Sequence, residues 1–255
     1  MNKHLIIFLS LLLISSCSPF SNSKESKKII AGGLTPKELY EVAQDKINAG
    51  SIDQAIDQYR LILSSYPSSK YAIQARLDIA FNLYKRKKYN LAIAELDNFI
   101  LNYPSIESSP YAYYLRGIVA EDKSTSILDN LITDSAQRDV QSIKEAYGYF
   151  IELIDRFPES KYALDANKRL QNLIDILARH ELYVAIYYTK NNSNIAAINR
   201  CKYIIENFPD SYTVADSLHL MAHNYDQIGA IDLAKDTRLI LESSFKNYYP
   251  HYSLK

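Results

Sequence analysis

One spacing in this chain admits few folds. Ala43 and Ala55 stand twelve residues apart, as do Ala80 and Ala92, and a proline follows each second alanine after another twelve, at Pro67 and Pro104. The interval between those prolines is 37 residues. Ala146 with Pro158 and Ala197 with Pro209 keep the same phase; Ala222 and Ala234 keep it too, with Lys246 where a fifth proline would fall. An aromatic residue precedes that slot every time: Tyr66, Tyr103, Phe157, Phe208 and Phe245. A small side chain on each of two helices lets them cross closely, and proline ends the second helix by removing a backbone donor. The pattern predicts an all-α solenoid of five helix pairs, each packing only on its neighbours.

Composition agrees with a polar, helical body. Only 6 glycines are present, and Lys plus Arg equal Asp plus Glu at 29 each, so no charged field points to nucleic acid. Residues 1–16 hold one lysine and the ten-residue apolar run Leu5 to Ile14, too short to span a bilayer. Ile14-Ser15-Ser16-Cys17 resembles the bacterial lipobox, after which the mature chain would begin at a lipidated Cys17 and be anchored by its acyl chains. An ordinary secretion signal with an incidental cysteine is the alternative. Residues 17–34, rich in Ser and Lys, read as a flexible tether. With Cys17 lipidated, Cys201 has no disulfide partner; it reads as a small core residue, a reactive thiol being the sharper alternative.

Thr35-Pro36-Lys37-Glu38 predicts a capping box at the first helix, and Ser51 with Gln54 predicts the same for the second after a stop at Gly50. Repeat three departs from the ruler. Gly117 takes the first small position but lies 29 residues before Ala146; the surplus falls between Glu121 and Gln137, where Ile127, Leu128, Leu131 and Ile132 could face one side of a short helix. Either a lid or a partner contact would explain it. Repeat four stretches the gap from Pro158 to Ala185 by fourteen residues, close to four whole turns, which predicts one continuous helix from about Ser160 to Lys190. Residues 246–255 form a polar, aromatic tail without periodicity.

Motifs for chemistry are absent. His219 and His223 share a helix face but no carboxylate or cysteine accompanies them at ligand spacing; His180 and Glu181 read as a solvated face, and no phosphate loop, nucleophile elbow or dinucleotide fingerprint occurs. The reading is non-enzymatic, with no metal and no cofactor.

The repeat grammar resembles tetratricopeptide repeats, in which the first helix of each pair lines the inner surface. Positions three before and one after the first small residue then face the groove: Tyr40 and Gln44, Leu77 and Phe81, Tyr114 and Ile118, with Gln74, Tyr84 and Tyr111 from neighbouring turns. This aromatic and apolar surface suits an extended peptide with large side chains. Burial between repeats would claim about half of these tyrosines, which are mixed apolar and polar.

Longer phrases narrow the family. Tyr114-Leu115-Arg116-Gly117, Arg138-Asp139, Phe157-Pro158-Glu159-Ser160-Lys161-Tyr162-Ala163, Arg169-Leu170, Val184-Ala185, Tyr187-Tyr188 and Asn199-Arg200, with the lipobox, the insertion and the long helix, resemble the BamD family of outer-membrane lipoproteins from Cys17 to about Phe245. The resemblance implies a lipid-anchored protein on the periplasmic face of the outer membrane, within the β-barrel assembly complex. Repeats one to three (35–158) would hold the targeting segments of unfolded barrel proteins. Repeats four and five (159–245) would dock the periplasmic domains of the insertase, with Arg200, Arg138 and Asp139 at the partner interface. A Tol-associated cell-division coordinator is the alternative; it would carry an N-terminal coiled coil, and no heptads precede Thr35.

Overall fold

The structure, a computed structural model, describes residues 33–124 and 140–254. Cys17, the tether as far as residue 32, the expected helix around Ile127 to Ile132, and Arg138 and Asp139 lie outside the described residues. Among those described there are ten helices and no strand: α1 (Pro36–Asn48), α2 (Ile52–Ser65), α3 (Lys70–Lys85), α4 (Tyr89–Asn102), α5 (Ser109–Ser124), α6 (Val140–Arg156), α7 (Ala163–Lys190), α8 (Asn194–Asn207), α9 (Thr213–Gln227) and α10 (Ile231–Ser244). In chain order they fall into five consecutive helix pairs. Two compact units divide inside α3, at Ala75 and Arg76. In the first, α1 packs on α2; in the second, each helix from α4 to α10 packs on the next, and α7 also meets α9.

The alanines do what their spacing requires. Ala43, Ala55, Ala80, Ala92, Ala146, Ala185, Ala197, Ala222 and Ala234 are all buried, none more than 2% exposed. Gly117 goes further: a β-carbon built there would stand 2.5 Å from the ring of Phe150, so the ring lies against bare backbone where α5 crosses α6. Beside it, the buried Arg116 reaches both neighbouring helices, donating to Asp97 on α4 at 2.7 Å and to Glu152 on α6 at 2.5 Å, with Tyr149 stacked 4.1 Å from the guanidinium.

Four of the five pairs turn in one way. Gly50, Lys87, Asn192 and Gly229 take positive φ, and the next amide reaches back to close the helix: Ser51 to Lys46, Lys88 to Leu83, Ser193 to Tyr188 and Ala230 to Tyr225, at 2.8–2.9 Å. This geometry corrects the expected cap at Ser51. Thr35 and Glu38 do form a reciprocal box, but Ser51 makes no side-chain cap, and Gln54 accepts instead from Lys46 Nζ at 2.9 Å. Lys88 and Ala230 begin their helices just as well, because the backbone bond already fixes the entry.

The second helices stop at the aromatic residue. Tyr66, Tyr103, Phe208 and Phe245 all leave the helix at φ between −131° and −137°. Proline after them disfavours helical backbone, yet Phe245 precedes Lys246 and behaves alike, with its ring packed on the core. The aromatic side chain therefore marks the stop at least as well as the proline.

The lengthened first helix of pair four is one continuous α7 of 28 residues, about 42 Å at the standard rise. It buries Leu170, Leu173, Leu177, Leu182 and Ile186 along its length and packs on α6, α8 and α9. No helix among the described residues is long and apolar enough to cross a membrane.

Candidate docking surfaces

The expected groove residues divide between the two units. In the first, Gln44 Nε2 donates to the hydroxyls of Tyr40 at 3.2 Å and Tyr59 at 2.6 Å. The Tyr40 ring also packs 5.6 Å from both Tyr59 and Tyr71. Gln74 is exposed. An amide thus holds the aromatic cluster together, and Tyr71, which the spacing did not single out, completes it.

In the second unit Leu77 is 2% exposed, a correction to its expected place on the surface: its side chain is part of the core. Phe81, 39% exposed, lies 6.2 Å from Tyr84 and presents an open ring face. Ile118 is half-buried. Tyr114 stacks on Tyr162 at 5.0 Å, and Tyr111 packs 5.8 Å from the same ring.

The hydroxyls here are engaged. Tyr84 donates to Asp122 Oδ2 at 2.5 Å and Tyr114 to Asp165 Oδ2 at 2.5 Å, while Arg169 bridges Asp165 and Glu121, each at 2.7 Å. Burial, followed by the bond to Asp165, raises the Tyr114 phenol above its usual range; the same phenol, with Arg169, lowers Asp165. Burial, with Tyr162 and Asp78 nearby, pushes Tyr111 up to about 12. These protons stay on their tyrosines at neutral pH, so the joints are fixed dipoles, and the rings they hold are half-buried, with Tyr114 stacked on Tyr162.

Asp122, Asp165 and Tyr162 were missed because the spacing was counted from the small residues: counted from the prolines, Tyr162 shares the place of Tyr71 and Asp165 that of Asp216, while Asp122 has no such match. The one local signal was Asp165 and Arg169 four apart on a helix, which brings their side chains together.

On α8, Arg200 donates to Glu181 on α7 at 2.9 Å; the arginine side chain is 44% exposed and the glutamate 13%. Arg200 lines a shallow pocket of about 300 Å³ with Tyr188, Ala196, Asn199 and Tyr203. Two tyrosines, an amide and a half-exposed cation suit contact with a polar protein surface.

Cys201 is buried, and burial pushes its thiol up to about 12, which suits a core residue and not a nucleophile. His219 shares a 2.7 Å hydrogen bond with Tyr252. Among the described residues no three His, Cys, Asp or Glu side chains are grouped as a metal site would need.

A family model described as YfiO, outer membrane lipoprotein, matches residues 33–240. Curated relatives named outer membrane protein assembly factor BamD include one from Neisseria gonorrhoeae, 36% identical over 245 residues, covering 95% of this chain and 91% of that protein. Another, from Neisseria meningitidis serogroup A, is 35% identical over 244 residues with the same coverage. The Xylella fastidiosa (strain 9a5c) relative is 30% identical over 258 residues, covering 98% of this chain and 87% of its own. Among solved structures, the TPR2AB domain of yeast Sti1 in its pHSP90 complex aligns at a TM-score of 0.42 with 12% identity, over 84% of this chain and 78% of that one.

Proposed function

The chain belongs to the BamD family of outer membrane protein assembly factors, and from that premise we propose that it is a non-enzymatic scaffold and client receptor in the insertion of β-barrel proteins. Outer-membrane association follows from the family; the lipid on Cys17, the tether over 17–34 and exposure to the periplasm are part of this reading. The relatives' name favours it over a Tol-associated cell-division coordinator.

Within this reading the two ends of the chain have different tasks. The first helices of repeats one to three carry the client surface, and the observation that supports it is the aromatic group of Phe81, Tyr84, Tyr111 and Tyr114 in the second unit, where Phe81 is 39% exposed and the Tyr84 and Tyr114 hydroxyls are tied to Asp122 and Asp165; in the first unit Tyr40 belongs to the cluster with Tyr59 and Tyr71. Rings presented without free charge give contact area at low entropic cost to an extended segment ending in an aromatic residue. Repeats four and five carry the docking surface for the insertase's periplasmic domains, centred on Arg200 and its pocket; Arg138 and Asp139 belong to the same interface.

Pull-down from detergent-solubilised membranes is expected to recover the insertase; recovery of division or cell-wall proteins alone would reject the reading. Photocrosslinkers at Tyr40 and Tyr114 are expected to capture barrel precursors. Arg200→Ala is expected to weaken insertase binding about tenfold or less while leaving the helical spectrum unchanged, since a half-exposed ion pair contributes about 1 kcal/mol or less to the fold.

A further inference from the structure

Six and three residues before the first small residue of a pair, and one after it, the side chains share a face of the pair's first helix. In the third pair these are Tyr111, Tyr114 and Ile118; in the fifth, counted from Ala222, they are Asp216, His219 and His223. On α9 that face is filled by the chain's own tail. The Tyr248 hydroxyl and the His251 backbone amide both donate to Asp216 Oδ1, the latter at 3.0 Å, and His251 Nδ1 lies 3.2 Å from Oδ2. Tyr252 bonds His219, and Leu254 lines a pocket of about 320 Å³ together with His223. The rings of Tyr248 and Tyr252 stand 5.7 and 5.9 Å from the His219 ring. Both tyrosines and Leu254 pack against the apolar cluster built from α7, α8, α9 and α10.

This is how a helix face holds an extended peptide: a buried acceptor takes a phenol and a main-chain amide, and apolar ground takes the rings. Residues 246–254 form no helix, and they reach Asp216 and His219 through side-chain hydrogen bonds, ring packing and the single backbone amide of His251. Asp216 is 1% exposed with the tail in place. With the tail lifted, the face would offer a carboxylate, two imidazoles and an apolar floor to a segment of the same chemistry.

We propose that this face of α9 is a docking site for an extended, tyrosine-bearing segment, and that residues 247–254 fill it as an internal ligand which a barrel-precursor segment must displace. The identity of that competitor rests on the client role proposed above; the filled site does not.

The test uses the full chain and a labelled synthetic peptide of residues 247–254, read by fluorescence anisotropy. Tyr248→Ala/Tyr252→Ala, which frees the tail, is expected to bind the peptide at least tenfold more tightly than the unaltered chain, and adding Asp216→Asn is expected to remove that gain. Equal affinity for the altered and unaltered chains, or no binding to the freed-tail variant, overturns the proposal and leaves the tail as an end cap. Should the double variant lose its helical spectrum, Tyr248→Phe keeps the ring, deletes one hydroxyl, and is expected to raise peptide affinity by a smaller factor; no rise overturns the proposal equally. A barrel-derived peptide with a tyrosine near its end is expected to displace the bound tail peptide. Failure to displace it overturns the competitor alone, and crosslinking at Tyr40 and Tyr114 reads the client role separately.

Discussion

The third and fifth pairs solve one problem with the parts exchanged. In the third, the phenol sits on the first helix and the acid arrives from the next pair: Tyr114 on α5 donates to Asp165 on α7. In the fifth, the acid sits on the helix and the phenol arrives from the chain's last segment, Tyr248 of the tail on Asp216 of α9. A phenol–carboxylate joint thus fastens the face of a first helix to a later stretch of chain, a helix where there is one and an irregular segment where there is none. Burial separates the two cases, since the Asp165 side chain is 49% exposed and that of Asp216 only 2%.

The widest gap between the pairs lies at the same phase on their second helices, where the third has Phe150 and the fifth Arg238. Phe150→Ala is expected to cost about 3–5 kcal/mol in denaturant unfolding, because a fully buried ring leaves a cavity against Gly117. Arg238→Ala, which loses only a half-exposed ion pair with Asp226, is expected to cost about 1 kcal/mol or less. Gly117→Ala is expected to cost about 1–3 kcal/mol by overpacking, and to cost less when Phe150 is first made Leu; a neutral Gly117→Ala would show that the crossing has slack.

Next come the joints themselves. Tyr248→Phe is expected to cost about 2 kcal/mol, since it removes one donor from a buried carboxylate, whereas Tyr114→Phe is expected to cost about 1 kcal/mol because water reaches Asp165. Equal losses would erase the distinction drawn from burial. The Asp165 contribution also depends on pH: its depressed pKa means the stabilisation is present above the usual carboxylate value of about 3.9 and is lost as pH falls through the lower folded value. The Tyr114→Phe difference is therefore expected to shrink in strongly acidic unfolding measurements. The smallest expected signal is chemical: at pH 8, iodoacetamide is expected to leave Cys201 unmodified until denaturant is added.

Much of the fold could be read from the sequence because it is carried by residues whose role is steric. A small side chain at a helix crossing and an aromatic before the stop recur at fixed phase, and the fourteen extra residues of pair four keep the helical period, so α7 emerged as one helix. The cap at Ser51 was misread because its residue types were suitable while the preceding left-handed turn had already settled the geometry. The surface was only half legible. Tyr84 and Tyr114 were singled out by their places near the first small residue, but their partners Asp122 and Asp165 stand 38 and 51 residues further along the chain, beyond what a count along one helix joins, and Leu77 took a core position at a phase that holds Tyr40 and Tyr114 elsewhere. The tail had no pattern at all, since Asp216, 32 residues before Tyr248, is what orders it.

The bare backbone at Gly117 and the two-sided grip of Arg116 have a further consequence. Fifteen residues separate Ser124 from Val140 in the sequence, and α5 and α6, which end and begin at those residues, pack directly on one another. Alignment of α5 with α6 comes through space, from a ring pressed to a glycine and a guanidinium holding acids on both sides. The peptide bonds between them are therefore dispensable to the architecture: a molecule severed once within 125–139 is expected to migrate as a single particle, and new chain ends could be opened there without dismantling it.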